Sequence, residues 1–242
     1  MTCILSERHR AKCTTCPPAC PHKIALHGLN GVGGRISAAN LPEGYKYLTL
    51  TNSPVRTAQG RIYTLLTDYA ATFERQFDET APQIKSLYLF SKNPGTGKTT
   101  TACALANEYL IVHYLGSLKR GRRPLHQPTY FLDVNEFQTE YNLATMTDDE
   151  AGIERIKTTI SRCQAVPFLV MDDIGVRDTT EAFRAYLHAI INRRVTSGLP
   201  TVYTSNLPIE DMAKVFDARL YDRIRDMCLD LYFDGESKRG RR

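Results

Sequence analysis

The sequence lacks a long apolar segment. None of its 242 residues fall in an uninterrupted apolar run approaching the roughly 18 residues that a membrane-spanning helix requires. Residues 1–30 contain cysteines and charges where a secretory signal peptide would have its apolar stretch. We therefore expect a cytoplasmic protein without a membrane partner, and the 42% hydrophobic and 24% charged residues are typical of a globular one.

The sequence also lacks the even, dispersed cysteines of a disulfide framework, because its seven cysteines are odd in number and concentrated near one end. Cys13 and Cys16 have the spacing that lets two thiolates bind one tetrahedral Zn²⁺, and Cys20 follows as a third candidate ligand. The fourth ligand is either His22 or Cys3. We predict a structural zinc site, with free thiols in a disordered tail as the alternative.

The chain is long enough for one large core and a small appendage. Glycine and proline punctuation thins out between about 35 and 50, so we predict a zinc-binding module and linker over 1–45 and a second domain over 46–242. The net charge of +5 is concentrated at 119–123 and in the tail at 238–242. Such basic runs are compatible with a phosphate-bearing partner, but they are more often solvated loops.

A glycine-rich phosphate loop is present but lacks its usual first glycine, whose place is taken by Lys92. An apolar run at 87–90 precedes the loop, and a helical pattern follows it. In this geometry backbone N–H groups surround a phosphate chain, Lys98 contacts the outer phosphates and Thr99 offers a hydroxyl to Mg²⁺. The predicted nucleotide-binding residues are Asn93, Pro94, Gly95, Thr96, Gly97, Lys98, Thr99 and Thr100.

Two carboxylates follow the apolar run at 168–171. A carboxylate at the carboxyl end of a strand beside a phosphate loop is well placed for Mg²⁺ and an attacking water. We predict that Asp172 holds the metal and Asp173 polarises the water. Asn206 ends another predicted strand, where its amide could contact the γ-phosphate or the water, although asparagine there is usually a turn former.

Helical spacing predicts an amphipathic helix within 58–77 and another after the phosphate loop. Residues 147–150 have the pattern of a capping box, which predicts that a helix begins there and runs to Cys163.

Together these motifs resemble the AAA+ ATPases of the DnaC/DnaI helicase-loader group, with the IstB transposition ATPases as relatives. The resemblance covers about 45–240: Walker A at 93–99, Walker B at 169–175, sensor 1 at 204–207 and an arginine-finger region at 222–225. The cysteine-rich start is similar to the zinc-binding, helicase-contacting domain of DnaI-type loaders.

The resemblance implies an α/β P-loop NTPase core with a five-stranded parallel sheet, and ATP and Mg²⁺ bound at a subunit interface. It also implies that the protein self-associates and acts on a hexameric replicative helicase and single-stranded DNA. Arg223 would be the arginine finger, with Arg219 as the alternative, and Arg239 would be a sensor in cis. Asp173 stands where many AAA+ proteins have Glu, and with Lys92 this favours slow, partner-stimulated ATP hydrolysis.

Three other functions remain open at this stage. A transposition-type, IstB-like regulator would bind duplex DNA and a transposase, and the cysteine cluster argues against it. A small-molecule P-loop kinase would not need the combination of Asn206 and Arg223. A zinc-stabilised binding protein with a decayed nucleotide site is favoured only by Lys92.

Overall fold

The computed structural model describes residues 3–6, 17, 20–175, 180–215 and 218–237. The strands are β1 (Ser86–Phe90), β2 (Thr129–Asp133), β3 (Phe168–Asp172), β4 (Thr201–Ser205) and β5 (Cys228–Tyr232). The α-helices are α1 (Pro21–His27), α2 (Arg35–Ala38), α3 (Gly60–Ala71), α4 (Lys98–Lys119), α5 (Val134–Met146), α6 (Glu150–Ala165), α7 (Glu181–Thr196), α8 (Met212–Val215) and α9 (Ala218–Met227). Short 3₁₀ helices occupy Glu43–Tyr45, Thr72–Phe77 and Ile209–Asp211.

The five strands form one parallel sheet in the order β2-β3-β4-β1-β5. The first strand lies between β4 and β5, with Leu87 opposite Val202 on one side and Leu229 on the other. Because helices cover both faces, β1, β3 and β4 are buried along their whole length. This confirms the predicted α/β fold, and it brings the ends of β1, β3 and β4 to one edge of the sheet.

The helix α4 is buried on nearly every side, which agrees with apolar residues all around its sequence. One side packs on the sheet, and the segment at 20–50 covers the other. Asn107 donates from Nδ2 to the carbonyl oxygens of Tyr45 (3.1 Å) and Leu48 (2.8 Å), and Glu108 Oε1 accepts from the Leu50 amide at 3.2 Å. Cys103 of this helix is fully buried in the core.

The segment at 20–50 shares the core of the sheet domain. Leu26, Ile36 and Leu41 belong to the same hydrophobic cluster as Leu105 of α4. Arg35 ties this segment to the chain after α4, because it donates to the carbonyl oxygens of Ala25, Pro124 and Leu125. The division into 1–45 and 46–242 remains a prediction.

The predicted capping box at 147–150 is wrong in its details. Thr147 directly follows the last residue of α5, and its hydroxyl donates to the Leu143 carbonyl oxygen at 2.8 Å. Asp148 has a left-handed φ of 49°, so the chain turns there and Asp149 becomes the residue that precedes α6. The two helices lie too close in sequence for Thr147 to cap the second one.

Among the described residues, no helix has the length and apolar character needed to cross a bilayer.

Candidate nucleotide-binding site

The phosphate loop connects β1 to the start of α4, as the sequence predicts. Gly95 and Gly97 both have positive φ, 76° and 103°, a conformation that glycine adopts without strain. A Cβ atom at Gly97 would also lie 2.8 Å from Cγ1 of Val55, so a larger residue does not fit there. The loop therefore needs glycine at this position for both its conformation and its packing.

Lys98 is buried at the beginning of α4 and contacts two of the other predicted site residues. Its Nζ atom lies 2.7 Å from Asn206 Oδ1 and 3.5 Å from the Asn93 carbonyl oxygen. Lys92, the residue in place of the usual glycine, is exposed and does not fill the loop. The ammonium is thus held between the loop and the end of β4.

Asp172 ends β3 and accepts hydrogen bonds at both carboxylate oxygens. Thr99 Oγ1 donates to Oδ2 at 3.0 Å, and Thr204 Oγ1 donates to Oδ1 at 2.6 Å. Burial raises the pKa of this carboxyl to about 7, the Thr204 hydrogen bond opposes the rise, and the nearby Asp173 charge adds to it. The protein therefore holds a desolvated carboxylate next to the Thr99 hydroxyl in the first turn of α4, and such a pair suits a divalent cation.

Asp173 has a left-handed backbone, with a φ of 56°, which is uncommon outside glycine. Its amide donates to Thr204 Oγ1 at 2.9 Å. The first acid thus belongs to the buried strand end, and the second lies in the turn that leaves it.

The end of the chain also contacts the phosphate loop, which the sequence analysis missed. Gln59 donates from Nε2 to the Asp234 carbonyl oxygen at 2.7 Å, and Asn93 donates from Nδ2 to the Gly235 carbonyl oxygen at 3.1 Å. No local pattern marks Gln59, since its partner lies 175 positions away along the chain. Thr204 was also missed as an individual site residue, although a hydroxyl in a fully buried strand was a usable signal.

The residues present fit a magnesium–nucleoside triphosphate. An ammonium, a loop with two left-handed glycines, and a hydroxyl–carboxylate pair lie together at one edge of the sheet. The buried Thr96 hydroxyl in this loop has no hydrogen-bond partner within the described structure, so the loop retains a polar atom that the protein does not satisfy. A phosphate group is a suitable partner for such a loop.

Arg223, the predicted arginine finger, lies on α9 and donates from its guanidinium to Asn192 Oδ1 on α7. The side chain of Arg219 and the whole of Arg239 lie outside the part of the chain that the structure describes. The role of these arginines remains a prediction.

The predicted zinc site is only partly within the described structure, because Cys13 and Cys16 lie outside it. His22 Nδ1 lies 2.9 Å from the Tyr114 hydroxyl on α4. Among the described residues, no three His, Cys, Asp or Glu side chains are grouped to hold a metal ion. Zinc binding is therefore still a prediction.

Comparison with known families gives one matching model, the IstB-like ATP binding protein family, over residues 128–242. The match begins just before β2, so it includes both acids and Asn206 but not the phosphate loop.

A curated relative is the replicative helicase loader DnaC of Escherichia coli strain K12. It is 29% identical over 168 residues, which are 69% of this chain and 62% of that protein. DnaC of Buchnera aphidicola (subsp. Schizaphis graminum) is 27% identical over 156 residues, 64% of this chain and 55% of that protein. The chain thus spans about three fifths of the length of these relatives.

Among solved structures, the DnaC helicase loader superposes with a TM-score of 0.56 at 20% identity, covering 80% of this chain and 100% of that one. DnaI gives a TM-score of 0.53 at 22% identity, covering 80% and 94%. These likenesses establish a shared fold. Residues 128–242 are thus similar to the IstB-like ATP binding protein family, and the chain is similar to the DnaC replicative helicase loaders.

Proposed function

We propose that the protein is an ATP-dependent helicase loader, which binds a hexameric replicative helicase and single-stranded DNA and is switched by ATP binding and slow hydrolysis. The observation that supports it best is the convergence of Lys98, Asp172 and Asn206 at one sheet edge in a chain similar to DnaC. The contact to a helicase is inferred from the similarity of the chain to DnaC, a replicative helicase loader.

In this proposal residues 93–100 wrap the phosphates, and Lys98 contacts the outer ones. Thr99 and Asp172 hold Mg²⁺, which neutralises phosphate charge when it is bound. Asp173 orients and polarises the attacking water. Because Lys98 Nζ and Asn206 Oδ1 are 2.7 Å apart, a phosphate held by the ammonium is within reach of the amide at the end of β4. Asn206 thereby connects occupancy of the loop to the neighbouring strand.

The proposal includes self-association, with Arg223 acting on the nucleotide of a neighbouring subunit. Its guanidinium donates a hydrogen bond to Asn192, a half-buried residue of α7, and this contact orients the side chain. Such a finger contributes about 10³-fold or more to hydrolysis in nucleotide-hydrolysing assemblies. Arg219 is the alternative for this role.

The proposal also keeps a structural Zn²⁺ held by Cys13, Cys16, Cys20 and either His22 or Cys3. In this proposal Cys20, which precedes α1, would bind the metal, and Leu26 of α1 packs in the same hydrophobic cluster as Leu105 of α4. We expect Cys13→Ser with Cys16→Ser to remove zinc from the purified protein and to leave ATP affinity unchanged. Zinc in stoichiometric amount after both changes would contradict these ligands, and Lys98→Ala is the control that should keep its metal.

ATP binding is tested by titrating the full chain with a fluorescent ATP analogue and Mg²⁺. Lys98→Ala should lose about 100-fold or more in affinity, because a buried ammonium no longer meets the phosphates. Lys92→Ala is the matched control: it changes an exposed lysine of the same loop and should keep affinity within about threefold. Equal affinities of wild type and Lys98→Ala would remove the basis for the site.

Binding to a helicase is tested by co-purification of the full chain with a hexameric replicative helicase, with and without ATP. Retention that depends on ATP and on Lys98 supports a loader.

A second candidate is an IstB-like regulator of transposition, which the family match over 128–242 favours. That function predicts ATP-dependent binding to duplex DNA in preference to single strands, and no retention of the helicase. A gel-shift comparison of the two DNA forms separates the candidates.

A further inference from the structure

Thr204, next to last in β4, contacts both acids of the site. It is fully buried, and its side chain lies between the end of β3 and the turn that follows it. The register explains this position, since Met171 pairs with Tyr203 and the next residues of both strands come side by side. Thr204 therefore sits where β3 changes from a strand into the turn at Asp173.

The proton of the Thr204 hydroxyl has a defined direction. The Asp173 amide donates to Oγ1 at 2.9 Å, so the oxygen acts as an acceptor on that side. The hydroxyl then donates its own proton to Asp172 Oδ1 at 2.6 Å. One hydroxyl group thus connects the backbone of one acid to the carboxylate of the other.

The backbone of Thr204 reinforces the same turn. Its carbonyl oxygen accepts from the Ile174 amide at 2.9 Å, and Ser205 Oγ donates to the Ile174 carbonyl oxygen at 2.8 Å. The left-handed backbone at Asp173 needs such support, because a non-glycine residue in this region stores strain unless its surroundings hold it. Three hydrogen bonds from the end of β4 hold Asp173 and Ile174.

We propose that Thr204 is a positioning residue, whose hydroxyl holds the Asp172 carboxylate and the Asp173 backbone in the relative arrangement that hydrolysis requires. This inference rests on the proposed ATP hydrolysis. It predicts that loss of the hydroxyl slows turnover and leaves nucleotide affinity almost unchanged, since the Lys98 ammonium lies against Asn206 and the Asn93 carbonyl oxygen. A structural role alone would lower apparent turnover and the number of ADP-binding sites per mole of protein in parallel, because both fall with the amount of folded protein.

The test compares full-length wild type, Thr204→Val and Thr204→Ser. Valine keeps the branched shape without the hydroxyl, and serine keeps the hydroxyl without the methyl group. We measure turnover at saturating Mg²⁺-ATP, KM, the dissociation constant and stoichiometry of Mg²⁺-ADP binding, and the thermal midpoint. We expect Thr204→Val to lose about 10- to 100-fold in kcat, as displacement of a reacting group does, with KM and ADP affinity within about threefold of wild type. Thr204→Ser should recover kcat to within about threefold.

Full kcat in Thr204→Val would overturn the inference, as would a serine variant as slow as the valine variant, or a loss of ADP affinity equal to the loss of kcat. If valine prevents folding, Thr204→Cys and Thr204→Ser form the second pair. They have the same shape and differ in hydrogen-bond strength, and equal kcat in the two would contradict the inference. Absence of ATP binding in wild type would instead refute the proposed function itself, together with this inference.

Discussion

The two ends of the parallel sheet both bury a charged side chain, but they satisfy it differently. At the carboxyl end, Asp172 is bonded to the hydroxyls of two threonines. At the amino end, Arg194 of α7 is fully buried and donates to main-chain carbonyl oxygens and one hydroxyl. The carbonyl acceptors belong to Cys163, Val166, Pro167 and Pro200, and the hydroxyl to Thr201.

The type of hydrogen-bond partner distinguishes the structural charge, Arg194, from the charges of the candidate site, Asp172 and Lys98. Arg194 has five N–H donors, and the two segments at 163–167 and 200–201 supply five acceptors. The hydrogen-bonding capacity of this guanidinium is therefore satisfied within the protein. Asp172 is bonded to the side chains of Thr99 and Thr204, and Lys98 Nζ lies nearest to the Asn206 side chain, so these partners can rearrange toward a metal ion and a phosphate. A buried charge with a fixed main-chain shell stabilises the fold, whereas one with side-chain partners is available for binding.

The largest effect should come from breaking the amino end. Arg194→Met leaves several buried carbonyl oxygens without donors, and we expect the free energy of unfolding to fall by about 3 kcal/mol or more. Urea denaturation followed by circular dichroism measures it. The matched control is Arg193→Met, an exposed neighbour on α7, which should change stability by less than about 0.5 kcal/mol. If the free energy of unfolding of Arg194→Met fell by less than about 1 kcal/mol, the buried charge at the amino end of the sheet would not be a structural one.

A second effect tests buried groups that the fold keeps neutral. Burial lowers the pKa of His27 to about 4, with the Lys23 charge adding to it, and burial likewise lowers the pKa of His113 to about 4. Both values lie below that of an unfolded histidine, so the unfolded chain binds more protons as pH falls from about 7 toward 4 and stability decreases over this interval. We expect each histidine to contribute about 1–2 kcal/mol of this loss between pH 7 and 5.

Urea denaturation at pH 7 and pH 5 measures this loss. His27→Gln should lose less stability on acidification than wild type does. An unchanged slope would show that His27 is not held neutral.

A smaller effect of opposite sign is expected at the carboxyl end. Asp172→Asn is nearly isosteric and removes a desolvated charge whose pKa is raised to about 7, so the variant without nucleotide should gain about 1 kcal/mol of stability at pH 8. Denaturation in the absence of Mg²⁺ measures the gain, and Mg²⁺-dependent ATP binding should weaken in the same variant. A clear loss of stability would show that Asp172 serves the fold as Arg194 does.

The smallest change in stability is expected at Asn206, which is only half-buried. Asn206→Ala removes the partner 2.7 Å from Lys98 Nζ but opens no large cavity, so unfolding should change by less than about 0.5 kcal/mol. ATP turnover should fall in this variant, because the amide no longer faces the phosphate that Lys98 holds. Measuring both quantities on one preparation separates the two effects, and unchanged turnover would remove Asn206 from the site.

The sequence predicted the parts of this molecule that depend on neighbours in the chain. The phosphate loop, the two acids and Asn206 each follow a short buried strand, and parallel strands bring their ends to one edge. Arg194 could not be predicted this way, because its acceptors come from two separate chain segments. Thr204 was missed for the same reason, since its role depends on the register between β3 and β4.

The packing of the region before the sheet could not be predicted from its sequence. Its hydrophobic residues are too sparse to show a helical or strand period. The structure places Leu26, Ile36 and Leu41 in the core around α4, while the division of the chain at 45 stays a prediction. The error at 147–150 has a local cause: one residue in a left-handed conformation, Asp148, moved the start of α6 by two positions.

The buried helix α4 connects the phosphate loop to the segment at 20–50. The helix starts at Lys98, and sixteen residues later Tyr114 meets His22 at the hydroxyl and the Arg35 guanidinium over its ring. At a rise of about 1.5 Å per residue, these points are about 24 Å apart along a single rigid rod. A change in the tilt of α4 at Lys98 would therefore also change the position of Tyr114, and with it the contacts to His22 and Arg35.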